Sequence, residues 1–126
     1  FTFPKDSIIK VYNAPTSLYI AEWAKSNKIR AVGYVSTFGR DFVNQNKYKK
    51  IRDDILKNYN GPDILVFKEY GNHPNHPNPL RYGITQLAKK EILEKNLYCR
   101  EIKSNLEPKA KICVPQELKQ QILGDD

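Results

Sequence analysis

The sequence predicts an α/β domain with a central mixed sheet flanked by helices. Short apolar, β-branched runs (Ile8–Tyr12, Ile29–Thr37, Ile64–Phe67) alternate with stretches of helical spacing. Breakers such as Asn60-Gly61-Pro62 separate the two kinds of segment. The 126 residues, 40% hydrophobic and 28% charged, suit a single domain spanning residues 1–126 around one core.

Taken in order, residues 1–7 form an extended lead-in to a strand at Ile8–Tyr12. Asn13-Ala14-Pro15-Thr16 makes a turn, with Thr16 or Ser17 as the N-cap of a helix that runs to about Lys25. Tyr19, Ile20, Trp23 and Ala24 share one face of that helix, and Glu22 falls beside it. Ile29–Thr37 reads as a strand, and the polar stretch Phe38–Asn46 as a loop. A second helix covers about Asn46–Asn58. Its spacing predicts Tyr48, Ile51 and Ile55 buried, with Lys47, Lys49, Lys50 and Lys57 on the solvent side.

Gly61-Pro62 then starts the strand that follows Asp63. The run Asn72–Pro79 repeats Asn-His-Pro, so its backbone is extended. His73 and His76 are therefore read as loop residues, because ligation at a spacing of three needs a helix. A third helix spans about Ile84–Lys95, with Ile84, Leu87, Ala88 and Ile92 on its buried stripe. Leu97–Lys103 and Lys111–Val114 form a hairpin around a turn at residues 104–108. Pro115 suits the first turn of a final helix, Gln116–Leu123, which Gly124 ends.

The net charge of +7 favours encounter with polyanions, and nucleic acid is the partner it points to. The plainer reading of the same lysines is a solvated surface. No apolar run reaches the roughly 18 residues that a membrane span needs. Cys99 and Cys113 face each other across the predicted hairpin, as a thiol pair or a disulfide, and are too few for a structural zinc site. Met is absent even at position 1, so the chain is expected to start after a processing event or to be an excised domain. An intracellular and a secreted setting both stay open. No Walker-type phosphate loop and no Gly-x-Gly-x-x-Gly is present.

One constellation carries chemistry. Side chains two apart on a strand share a face, so Glu101 and Lys103 project together, and Asp63 is expected beside them on a neighbouring strand. Two carboxylates and an ammonium on one patch suit a site that holds Mg²⁺ or Mn²⁺ and sets a water against a phosphodiester.

These residues resemble the PD-(D/E)xK nuclease superfamily. Pro62-Asp63 looks like its proline–aspartate element and Glu101-Ile102-Lys103 like its E-x-K element. The tail from Lys103 to Leu118 is similar to the archaeal Holliday-junction-resolvase branch. The resemblance implies a restriction-endonuclease-like fold and hydrolysis of DNA or RNA. It implies that Asp63 and Glu101 ligate the metal, that Glu22 supports it, and that Lys103 activates the attacking water. Lys47, Lys49, Lys50 and Lys57 would then track the nucleic-acid backbone. Without that chemistry, the chain reads as a non-catalytic basic nucleic-acid-binding module or as a processed extracytoplasmic domain that binds a protein partner.

Overall fold

Five segments become strands: β1 (Ile8–Tyr12), β2 (Arg30–Tyr34), β3 (Ile64–Lys68), β4 (Leu97–Glu101) and β5 (Ala110–Pro115). The computed structural model describes residues 1–13, 26, 29–34, 42–71, 74–75, 79–102 and 110–124. The strands form one mixed sheet in the order β2-β1-β3-β5-β4. β1, β2 and β3 run parallel, and β5 is antiparallel to both β3 and β4. Among the described residues the helices are α1 (Phe42–Lys57), α2 (Pro79–Glu94) and the short α3 (Lys119–Leu123), which a 3₁₀ turn at Gln116–Leu118 precedes. The chain is thus a small α/β domain, and no described helix is long and apolar enough to cross a membrane.

β3 is buried on both faces, as a near-continuous apolar strand in the middle of a sheet must be. Its alternation divides the core in two. Ile64 and Val66 join Ile9, Val11, Ile112 and Val114 on the face that α3 covers with Ile122 and Leu123. Leu65 and Phe67 join Tyr12, Leu97 and Cys113 on the face that α2 covers with Ala88. A disulfide between Cys99 and Cys113 ties the edge strand β4 to β5, where the two residues are register partners.

Several expectations are corrected. α1 begins at Phe42 inside the stretch read as a loop, since polarity alone does not prevent a helix. α2 begins at Pro79, because proline is tolerated at the first helical position, where no intrahelical bond is lost. It ends at Glu94, and two residues on the left-handed backbone of Asn96 (φ 50) turns the chain into β4. Ile51 is not buried but 48% exposed. Leu87 is likewise 54% exposed, while Thr85 is buried. The predicted Thr16–Lys25 helix, with Glu22, lies outside the described residues, as do His73, His76 and Lys103.

Candidate functional site

Lys10 sits in the middle of β1 with Ile9 and Val11 facing the opposite core, so alternation sends its side chain toward α2. Tyr12, two residues on, shares that face. Asp63, immediately before β3, stands beside Lys10, and the last turns of α2 bring Glu91 over both. Lys95, just past the end of α2, closes the group.

The Lys10 and Glu91 side chains are in direct contact and only 10% and 11% exposed. Lys10 Nζ lies 3.6 Å from Asp63 Oδ1. Lys95 Nζ lies 2.9 Å from the same Asp63 oxygen and 2.7 Å from Glu91 Oε1. The Tyr12 hydroxyl donates to the other Glu91 oxygen, Oε2, at 2.7 Å. Five ionisable groups thus form one connected network, the condition under which buried charges are tolerated.

The network floors a cleft of about 690 Å³ at the amino ends of the parallel strands. Leu56 and Tyr59 form one wall, from the end of α1 and just beyond it, and Leu87 of α2 faces them. The Tyr59 ring is fixed by its hydroxyl, which donates to Pro62 O at 2.8 Å and accepts from the Ile8 amide at 3.2 Å. A Cβ on Gly61 would run into that ring, so glycine allows the close approach.

Burial pushes the Lys10 ammonium down to about 8, and the neighbouring Lys95 charge adds to the fall, while Asp63 pulls the other way. Lys95 is held above its ordinary value. Burial is the largest influence on it and lowers it, but the hydrogen bond and charge of Asp63 together outweigh that. Of two adjacent ammonium groups, the buried one therefore gives up its proton first. Burial also raises the Tyr59 hydroxyl, with the Asp63 charge adding to the rise and the Ile8 amide opposing it.

The predicted metal site is not assembled. Asp63 and Glu101 were expected on adjacent strands, but β5 lies between β3 and β4. Glu101 pairs with Lys111, which pairs with Phe67, four residues along β3 from Asp63. At roughly 3.3 Å per residue and 4.8 Å per strand, the backbones of the two residues stand about 16 Å apart along the sheet. Ligand distances near 2.0–2.6 Å cannot span that gap. Asp63 is instead engaged by two ammonium groups. The described residues contain no group of three or more His, Cys, Asp or Glu that could hold a metal ion, and these carboxylates do not fit Mg²⁺ or Mn²⁺.

Of the lysines expected to contact nucleic acid, Lys50 and Lys57 are exposed on α1, while the side chains of Lys47 and Lys49 lie outside the described residues. Sequence reasoning missed Lys10 and Glu91. The available signal was a lysine inside an otherwise apolar strand, since lysine is rarely buried unless paired. No protein-family model, no curated protein and no solved structure matches the chain.

Proposed function

We propose that the chain is an enzyme acting on a small molecule in the cleft between α1 and α2, with the Lys10 amine as its reactive group. The observation that carries this reading is an ammonium on the floor of a cleft, only 10% exposed and lowered to about 8. At pH 7 such a group is the free amine in roughly one molecule in ten, against roughly one in 2,500 for an unperturbed lysine. A neutral amine is both a nucleophile and a base, and desolvation beside a second cation is a recognised way to produce one. A buried network with a perturbed lysine in a cleft is the arrangement expected of a functional site, and the volume suits a small ligand.

The test is competitive acetylation of the whole chain with trace acetic anhydride from pH 6 to 11, read lysine by lysine by mass spectrometry. Lys10 should label with a midpoint near 8. A Lys10 that follows the exposed lysines, or resists labelling at every pH, removes the reading.

A polyanion partner is the second reading, favoured by the net charge of +7 together with the exposure of Lys50 and Lys57. Retention on a single-stranded or duplex DNA column should then fall steeply between about 50 and 200 mM salt. Retention that ignores salt would point to a protein partner instead. The Cys99–Cys113 disulfide favours an oxidising compartment for either activity.

A further inference from the structure

We infer that Lys10 forms an imine with an aldehyde or ketone carrying an apolar substituent, and that Glu91 and Tyr12 move the protons of that reaction. The inference rests on the reading of Lys10 as a reactive amine and adds to it the substrate class and the roles of two neighbours. It starts from geometry. Lys10 Nζ touches Glu91, and the second oxygen of the same carboxylate accepts the Tyr12 hydroxyl at 2.7 Å. One carboxylate therefore contacts both the nitrogen that would attack and a hydroxyl that can donate. Leu56, Leu87 and the ring of Tyr59 offer contact to a hydrocarbon body, and the charged Lys90 and Glu94 line the same cleft. The groups facing Lys10 are Asp63 from the start of β3, Glu91 and Lys95 from the end of α2, Tyr12 from β1 and Tyr59 beyond α1.

The steps balance without a co-reactant. The Lys10 ammonium gives one proton to Glu91 and becomes the amine. Its lone pair adds to the carbonyl carbon, forming the C–N bond while the carbonyl π pair moves to oxygen. A proton passes from nitrogen to that oxygen, with the Tyr12 hydroxyl and Glu91 within reach to carry it. Glu91 then returns its proton to the carbinol hydroxyl, which leaves as water as the nitrogen lone pair forms the C=N bond. The sum is R₂C=O + Lys10-NH₃⁺ → R₂C=NH⁺-Lys10 + H₂O. Lys95, bound to Asp63 and Glu91, is a positioning residue, because its charge disfavours a second ammonium at Lys10.

The experiment treats the whole chain at pH 7 with limiting benzaldehyde and sodium cyanoborohydride, which fixes the imine as a secondary amine, and locates the added mass by peptide mapping. Lys10 should be modified roughly tenfold or more faster than exposed Lys50 and Lys57. Glyoxylate, a smaller and charged aldehyde, should not be preferred there. Glu91→Gln should slow trapping by roughly 100-fold while leaving acetylation of Lys10 in place, a separation that a purely structural role for Glu91 would not produce. Mapping in the wild type needs no variant, so a Lys10→Arg chain that fails to fold would not block the test. If adducts follow exposure while Lys10 still acetylates with its midpoint near 8, the carbonyl inference is overturned and the reactive amine stands. Preference for glyoxylate overturns the apolar substrate class. A Lys10 inert to both reagents overturns this inference and the proposed function together.

Discussion

The two ends of α2 bury polar groups against the same sheet in opposite ways. At the amino ends of the parallel strands, its last turns bring Glu91 onto Lys10 and Asp63, so the polar groups there are ionisable. At the carboxyl ends, its second turn brings Thr85 onto Asn13, which follows β1, and Tyr70, which follows β3. That hydroxyl accepts from Asn13 Nδ2 at 2.8 Å and from the Tyr70 amide at 3.0 Å, and donates to Arg81 O at 3.0 Å. One donor and two acceptor positions are all a hydroxyl has, so Thr85 is saturated. Asn13 takes the left-handed conformation that asparagine tolerates, and its Nδ2 also reaches Arg81 O at 2.6 Å. Its Oδ1 is buried with no partner among the described residues. A neutral knot around a saturated hydroxyl fixes geometry. A charged network with a lowered lysine keeps a proton that can move, and the proposed function rests on that difference.

The largest expected effect comes from breaking the charged end. Glu91→Ala leaves Lys10 buried without its contacting carboxylate and should cost about 3 kcal/mol in urea unfolding. An equal-sized loss is not expected at the other end. Thr85→Val keeps the volume but strands the Asn13 and Tyr70 donors, at about 2 kcal/mol. If Thr85→Val proves the more damaging, the neutral knot is the stronger anchor and the contrast between the ends is inverted.

The two ends should also separate by pH. A lysine lowered in the folded state holds its proton more weakly there than when unfolded. Between pH 8 and about 10.5 the unfolded chain therefore binds more protons at Lys10, and stability rises with pH across that window. Below pH 8 the burial penalty is fully present. Lys95 and Tyr59, both raised, act in the opposite sense only as pH climbs through and beyond their ordinary values. Measured as the difference between wild type and Lys10→Met, the gain from pH 7.5 to 9.5 should be about 1–2 kcal/mol. Thr85→Val should leave that pH dependence unchanged. A flat difference for Lys10→Met would show that Lys10 titrates normally.

Much of the fold was legible because the apolar strands are short and cleanly bounded. β1 runs over the predicted Ile8–Tyr12, and Gly124 follows the last helix as expected. α2 was read correctly at Ile84, Ala88 and Ile92, which pack on the core, and wrongly at Leu87. Its apolar letters point to Leu87, yet the helix turns so that Thr85 can bond across the strand ends and Glu91 can meet Lys10, leaving Leu87 at the cleft wall. Hydrophobic spacing carries no information about such polar bonds. The site failed for a related reason. Asp63 was singled out as a metal ligand, and its partners were sought by motif along the chain. They come instead from a strand and a helix end that meet only in the fold. Glu91 lies in the run Lys89-Lys90-Glu91, which as sequence is indistinguishable from a solvated charged face.

The smallest effect on stability is expected at Lys95, and it sharpens the comparison most. Lys95 is partly exposed, and an ion pair of that kind contributes roughly 0–1 kcal/mol, so Lys95→Gln should unfold close to wild type. Its effect should fall on Lys10. The Lys95 charge is the second cause, after burial, of the lowering to about 8. Removing it while leaving burial unchanged should move the acetylation midpoint of Lys10 upward, but not all the way to the ordinary value. The hydrogen bonds of Thr85 should not change. If Lys10 keeps its midpoint in Lys95→Gln, burial alone sets it and Lys95 merely caps the end of α2. If it returns fully to the ordinary value, the lysine pair rather than the apolar walls makes the amine, and the cleft could be opened without losing its chemistry.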